Sequence, residues 1–225
     1  GYETGVEAGT RTPRTTTTPI ATRPVLTTWP TANIPRPYSY PTCGVMLDES
    51  SLVVGGKFST PQKFPWLVSI FYKYHSGIFK HEGSGSLISN RHVVSKAHTV
   101  AYADDQKYYR AVELDLVKVF LGTTKYDSKE PGAIEAGVNK ISVYPGAQDL
   151  NPRKFDVAVI TLNQHIPFSS VISPICLRSF NGRNDAGQTV FGLGYGLDQT
   201  RTITGVKKHV KMTIDSEERC KIFYE

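Results

Sequence analysis

Eight short apolar-rich runs, each of four to eight residues and set apart by Gly, Pro, Asn and Asp, fill the chain from Val53 onward. They read WLVSIFYK (66–73), GSLIS (85–89), HVVS (92–95), LVKVFLG (116–122), NKISVY (139–144), DVAVITL (156–162), TVFGLG (189–194) and KHVKMTI (208–214). Runs of this length suit strands, and many of them punctuated by turn residues predict an all-β sandwich or barrel. Helical periodicity is confined to SEERCKIF at 216–223. No apolar stretch approaches the roughly 18 residues of a membrane-spanning helix.

The first part of the chain has a different texture. Residues 10–42 hold eleven Thr and seven Pro among 33 positions, with no strand or helix periodicity. Proline removes backbone donors, and such a composition cannot build a core. Residues 1–42 therefore read as a disordered, semi-rigid linker of the kind that carries O-linked sugar in secreted proteins. The chain opens at Gly1 with no charged-then-apolar leader, so the expectation is that any signal peptide has been removed or was never included.

Charge separates the two parts again. Arg11, Arg14, Arg23 and Arg36 cancel Glu3, Glu7, Asp48 and Glu49, so the net +6 resides wholly in 53–225. Its densest cluster is VKKHVK (206–211). That cluster is either a patch for a polyanion or the solvated face of an exposed strand, and its alternation with Val206, Val210 and Met212 favours the second. The three cysteines, Cys43, Cys176 and Cys220, form no C-x-x-C pair, which argues against a zinc site or a thioredoxin-like motif. No metal or cofactor is expected.

Within VVSKAHTV (93–100), His98 follows a β-branched run. A lone histidine there can be a catalyst, a ligand or ordinary filler, and the stretch alone does not decide. Asp156 is equally open, since Asp commonly starts a strand after a turn.

The order of several fragments narrows these readings. LVVGG (52–56), FPWLVSI (64–70), GSGSLISNRHVVSKAH (83–98), FDVAVITL (155–162), SPICL (173–177), VFGLGYG (190–196) and SEERC (216–220) occur in sequence. Together they resemble the chymotrypsin-like, trypsin-fold serine proteases across essentially all of 53–225. The resemblance implies two antiparallel β-barrels, the second incomplete here, with a cleft between them. It divides the chain into the linker 1–42, a light-chain or activation segment 43–52, and a protease domain 53–225. It also makes His98 the general base and Asp156 the orienting acid of a His-Asp-Ser triad. His92 is taken as structural, and His75, His81, His165 and His209 receive no role.

No Gly-Asp-Ser-Gly stretch occurs in 1–225, and Ser84, Ser86 and Ser95 are poor substitutes because the resemblance places them in structural segments. The expectation is a fragment that ends before its nucleophile and is inactive as it stands. Cys43 and Cys176 match a family bridge between the upstream segment and the catalytic domain, and Cys220 matches a cysteine whose partner lies further on. Cleavage between Leu52 and Val53 would free the VVGG terminus to turn inward on Gly55 and Gly56.

Three features depart from the family pattern. Gly83 and Thr99 stand where a disulfide usually frames the histidine. Leu193 replaces the usual tryptophan of the G-W-G turn. Leu52 replaces the Arg or Lys of trypsin-activated zymogens, which points to a chymotrypsin-like activator or to self-activation.

The resemblance thus implies a secreted, extracellular serine endopeptidase zymogen in a proteolytic cascade, similar to insect proteases of the modular or gastrulation-defective kind. Its partners would be protein substrates, an activating protease and protease inhibitors, with no nucleic acid and no membrane span. The alternative is a non-catalytic serine protease homologue that acts as a secreted binding module.

Overall fold

Alternating burial builds the centre of the molecule. The computed structural model describes residues 43–46, 57–58, 60, 62–127, 130–150, 153–179, 185–196 and 204–224. The Thr/Pro-rich stretch 1–42 and the Leu52–Val53 junction lie outside them. The strands in chain order are β1 (Lys57–Phe58), β2 (Leu67–Lys73), β3 (Phe79–Leu87), β4 (His92–Ser95), β5 (Ala101–Ala103), β6 (Tyr109–Ala111), β7 (Val117–Leu121), β8 (Ile134–Val143), β9 (Ala158–Leu162), β10 (Thr189–Gly194) and β11 (Lys208–Thr213). One helix, α1 (Glu217–Tyr224), follows, and Ala97–Thr99 and Leu114–Leu116 form 3-10 turns.

Six strands close into a barrel in the order β2-β3-β4-β9-β8-β7, every neighbouring pair antiparallel. In β7 and β9 every second residue is buried, the period expected when one face of a pleated strand looks inward. Val68, Ile70, Leu87, Val93, Val119, Leu121, Ile160 and Leu162 are all fully buried in this core. Each such side chain stabilises the fold by about 1.5–3 kcal/mol relative to exposure. Gly85 on β3 is demanded by the packing, because a β-carbon there would lie 2.6 Å from Val93 Cγ1 and 2.8 Å from the Val94 carbonyl oxygen.

A second sheet contains β1, β11 and β10 in that order, and β5 pairs with β6 in a small hairpin. Phe64 joins barrel and sheet, its ring lying 5.5 Å from Phe191 and 5.2 Å from His209. A second join runs through the loop after β7. There Lys207 N–H donates to Thr124 O, Tyr126 N–H donates to Gly205 O, and Lys125 bridges Val206. Gly205 has φ +64° and faces the Tyr126 ring so closely that a β-carbon would lie 2.4 Å from Cε1, so only glycine fits.

All eight predicted runs contribute to strands, with informative extensions. β3 starts at Phe79 and β8 at Ile134, earlier than their apolar runs, because Phe79–Gly83 pair with β2 and Ile134–Gly137 with β7. The terminal helix forms at Glu217–Tyr224, close to the expected 216–223. The basic run needs correction. Lys207 and His209 are buried, whereas Val210 and Met212 are exposed, so the inward and outward faces are the reverse of those expected. The cause lies in pairing: β11 sits between β1 and β10, and its His209 side packs on Phe64 and Phe191.

Candidate active site

Strand register brings the two candidate residues together. β4 and β9 are antiparallel neighbours, with Ser95 opposite Ala158. His98 lies three residues beyond Ser95 and Asp156 two residues before Ala158, so both emerge from the same end of the pair. Directly after Lys96 the chain tightens into the 3-10 turn Ala97–Thr99, closed by Val100 N–H donating to Ala97 O at 3.0 Å. That turn buries Ala97 and Thr99 and leaves the His98 side chain 31% exposed.

The Asp156 carboxylate grips His98 twice. Oδ1 accepts the His98 main-chain N–H at 2.9 Å, and Oδ2 pairs with the ring Nδ1 at 2.6 Å. Asp156 itself is only 16% exposed. An imidazole whose Nδ1–H donates to a carboxylate has its Nε2 lone pair available to accept a proton, and the carboxylate stabilises the imidazolium that results. Among the described residues no serine hydroxyl bonds to the His98 ring. Ser95 Oγ instead donates to Ser84 O at 3.0 Å, within the barrel wall.

Beside this pair runs an open cleft between barrel and second sheet. Trp66, Ser84, Ser95 and Asp156 line one side, and Phe191 and Leu193 line the other. Leu193 thus sits on the cleft wall. Gly83 and Thr99 also face each other, so that a β-carbon on Gly83 would lie 3.0 Å from Thr99 Cγ2 and Oγ1. Cys43 and Cys176 are joined as a disulfide across 133 residues, while Cys220 is a free, exposed thiol.

The loop leading to Asp156 is tied to the hairpin that follows His98. Tyr109 N–H donates to Ala147 O, and Asp149 N–H donates to Lys107 O. Tyr109 hydroxyl donates to Asp149 Oδ1 at 2.8 Å, and Arg153 Nε donates to both Tyr109 Oη and Asp149 Oδ1. The Tyr109 hydroxyl, and beyond it the Arg153 charge, hold the Asp149 carboxyl below the usual range. Sequence reasoning missed this knot, because partners 40 and 44 residues apart carry no local motif.

The remaining histidines are placed as follows. His92 Nδ1 pairs with Ser89 Oγ at the hairpin between β3 and β4, a turn-capping arrangement. His81 stacks on Tyr126 with centroids 4.8 Å apart, and burial pushes its imidazole below the ordinary value. Lys207, 1% exposed, is lowered by burial to about 8, a fall that the nearby Glu130 charge opposes. Tyr195 donates its hydroxyl to Thr123 O and is raised by burial to about 12. With Lys207 and His209 inside, the 206–211 strand does not present an unbroken basic face. Among the described residues, no group of three or more His, Cys, Asp or Glu converges as metal ligands would. No described helix is long and apolar enough to cross a membrane.

Comparison with known proteins extends over the same region. Residues 53–225 match the family model described as Trypsin. CLIP domain-containing serine protease B4 of Anopheles gambiae is 30% identical over 191 residues, covering 82% of this chain and 52% of that protein. Phenoloxidase-activating factor 1 of Holotrichia diomphalia is 30% identical over 190 residues, covering 79% and 50%. Trypsin alpha of Drosophila melanogaster is 28% identical over 177 residues, covering 79% and 62%. The chain spans about half the length of the first two of these relatives. The solved structure of GrC superposes with a TM-score of 0.64 at 18% identity, over 77% of this chain and 70% of that one, a likeness of fold.

Proposed function

Because the chain belongs to the trypsin family of serine proteases, with the chymotrypsin-like fold, we propose that it is the His–Asp-bearing part of a secreted endopeptidase zymogen. The observation that carries this reading is the double grip of Asp156 on the main-chain N–H and the Nδ1 of His98. One bond orients the backbone and the other fixes the ring, which is what a general base needs.

In this chemistry a serine hydroxyl attacks the substrate carbonyl carbon while His98 Nε2 takes its proton. The resulting tetrahedral species collapses as Nε2 returns that proton to the leaving amine, breaking the C–N bond. Water then hydrolyses the acyl-enzyme by the same proton relay. Asp156 keeps the ring in the productive tautomer throughout. In this reading the nucleophile is a serine outside 1–225.

Cleavage after Leu52 would start the active chain at Val53, and the Cys43–Cys176 bridge would keep the upstream segment attached. An extracellular cascade role is supported by similarity to CLIP-domain proteases and to a phenoloxidase-activating factor, although their substrates belong to those proteins. Protein substrates, an activating protease and inhibitors would be its partners.

A second reading, a non-catalytic homologue serving as a binding module, is favoured by Gly83 facing Thr99 in place of a bridge and by Leu193 at the cleft. Labelling the activated full-length protein with a fluorophosphonate separates the two. The endopeptidase reading expects one labelled serine, with labelling lost in His98→Ala. An absence of label in the activated wild type would favour the homologue.

A further inference from the structure

The residue before Asp156 adopts a backbone conformation that bulky side chains avoid. Phe155 has φ +50°, in the left-handed region. The residue is 61% exposed, so burial in the core does not fix it. What it touches is Tyr144, with ring centroids 5.1 Å apart and planes tilted by 32°. Gly146 leaves room for that contact, since a β-carbon there would lie 3.3 Å from Tyr144 Cε1 and 3.5 Å from Phe155 Cδ2.

Tyr144 also reaches the other side of Asp156. Its main-chain N–H donates to Val157 O at 3.0 Å, and Val157 N–H donates to Phe155 O at 2.7 Å, closing a tight turn around the aspartate. Tyr144 therefore grips residue 155 by its ring and residue 157 by its backbone. The carboxylate between them is the one that meets His98 N and Nδ1.

We propose that Tyr144 is a positioning residue for the His98–Asp156 pair, acting by holding Phe155 left-handed so that the Asp156 carboxylate turns toward His98. The inference rests on the reading of that pair as catalytic and adds a control point outside the cleft. The left-handed conformation is the element that matters, and the aromatic contact is the means of keeping it.

The test uses the full 225-residue chain, isotopically labelled, and follows the hydrogen-bonded Nδ1 proton of His98 by NMR. Its exchange with solvent is the readout, with thermal melting recorded in parallel. Tyr144→Phe is expected to leave exchange unchanged. Tyr144→Ala and Phe155→Val should each speed it by about tenfold, the scale of releasing a strained backbone. The double variant Tyr144→Ala/Phe155→Asn should recover slow exchange, because Asn adopts the left-handed region without a clamp. Unchanged exchange in Tyr144→Ala with native melting overturns the proposal, as does failure of Asn to rescue. Asp156→Asn is the separate control: if the wild-type resonance survives it, the reading of the pair fails independently of Tyr144.

Discussion

Gly83 faces Thr99 at the distance of a disulfide. A β-carbon built on Gly83 would lie 3.7 Å from Thr99 Cβ, and 3.0 Å from its Cγ2 and Oγ1. Bridged cysteines hold their β-carbons about 3.8 Å apart. The double substitution Gly83→Cys/Thr99→Cys should therefore oxidise spontaneously, and peptide mapping should recover a 83–99 linkage. The closed loop is short, so the gain should be about 3 kcal/mol by the chain-entropy model. Gly83→Ala alone should be destabilising, because Thr99 must move to admit the methyl group.

Lys207 gives stability a specific pH dependence. Burial lowers it to about 8 from the ordinary 10.5, with Glu130 acting in the opposite sense. Between those values the unfolded chain holds a proton that the folded chain has released, so stability rises with pH in that window. The largest slope a single group can give is about 1.4 kcal/mol per pH unit. Tyr195, raised to about 12, acts oppositely above its ordinary value of 10.0, since its folded state retains a proton that the unfolded state loses. Urea midpoints between pH 8 and 10 should rise in the wild type relative to Lys207→Met. Parallel curves for the two proteins would contradict this assignment.

The Cys43–Cys176 bridge restrains the unfolded chain over a separation of 133 residues. Cys176→Ser should cost about 2–5 kcal/mol in denaturant unfolding. After cleavage between Leu52 and Val53, reducing gels and non-reducing gels should differ by release of the upstream piece in one and its retention in the other.

Maturation is predicted to occur between Leu52 and Val53. Amino-terminal sequencing of the active form should read Val-Val-Gly-Gly, and a trypsin-type activator should be ineffective. A mature terminus elsewhere would remove the proposed activation step.

The barrel was legible because its strands bury alternate apolar residues, as VKVFL and AVITL do. β5 and β6 were not legible, since AYA and YRA are too short to show a period. The orientation of the 206–211 strand could not be read, because a period of two marks alternation without saying which face meets the core. Its inward Lys207 and His209 became visible only once β11 was seen between β1 and β10. His98 and Asp156 were identifiable through the ordered fragments around them. Their contact, between residues 58 apart in the chain, depends on β4 lying beside β9. Tyr144 beside Phe155, and Tyr109 with Asp149 and Arg153, had no sequence signal at all. The first lies within the β8–β9 connection and the second ties that connection to β6, so neither is encoded by a local motif.

The most direct test of the account is kcat of the activated full-length protein with a peptide substrate, compared between wild type and Asp156→Asn. If Asp156 holds the His98 ring for proton transfer, kcat should fall by about 10⁴ while the fold, followed by circular dichroism, is unchanged. An Asp156→Asn protein that cleaves at the wild-type rate would contradict the catalytic role of the pair.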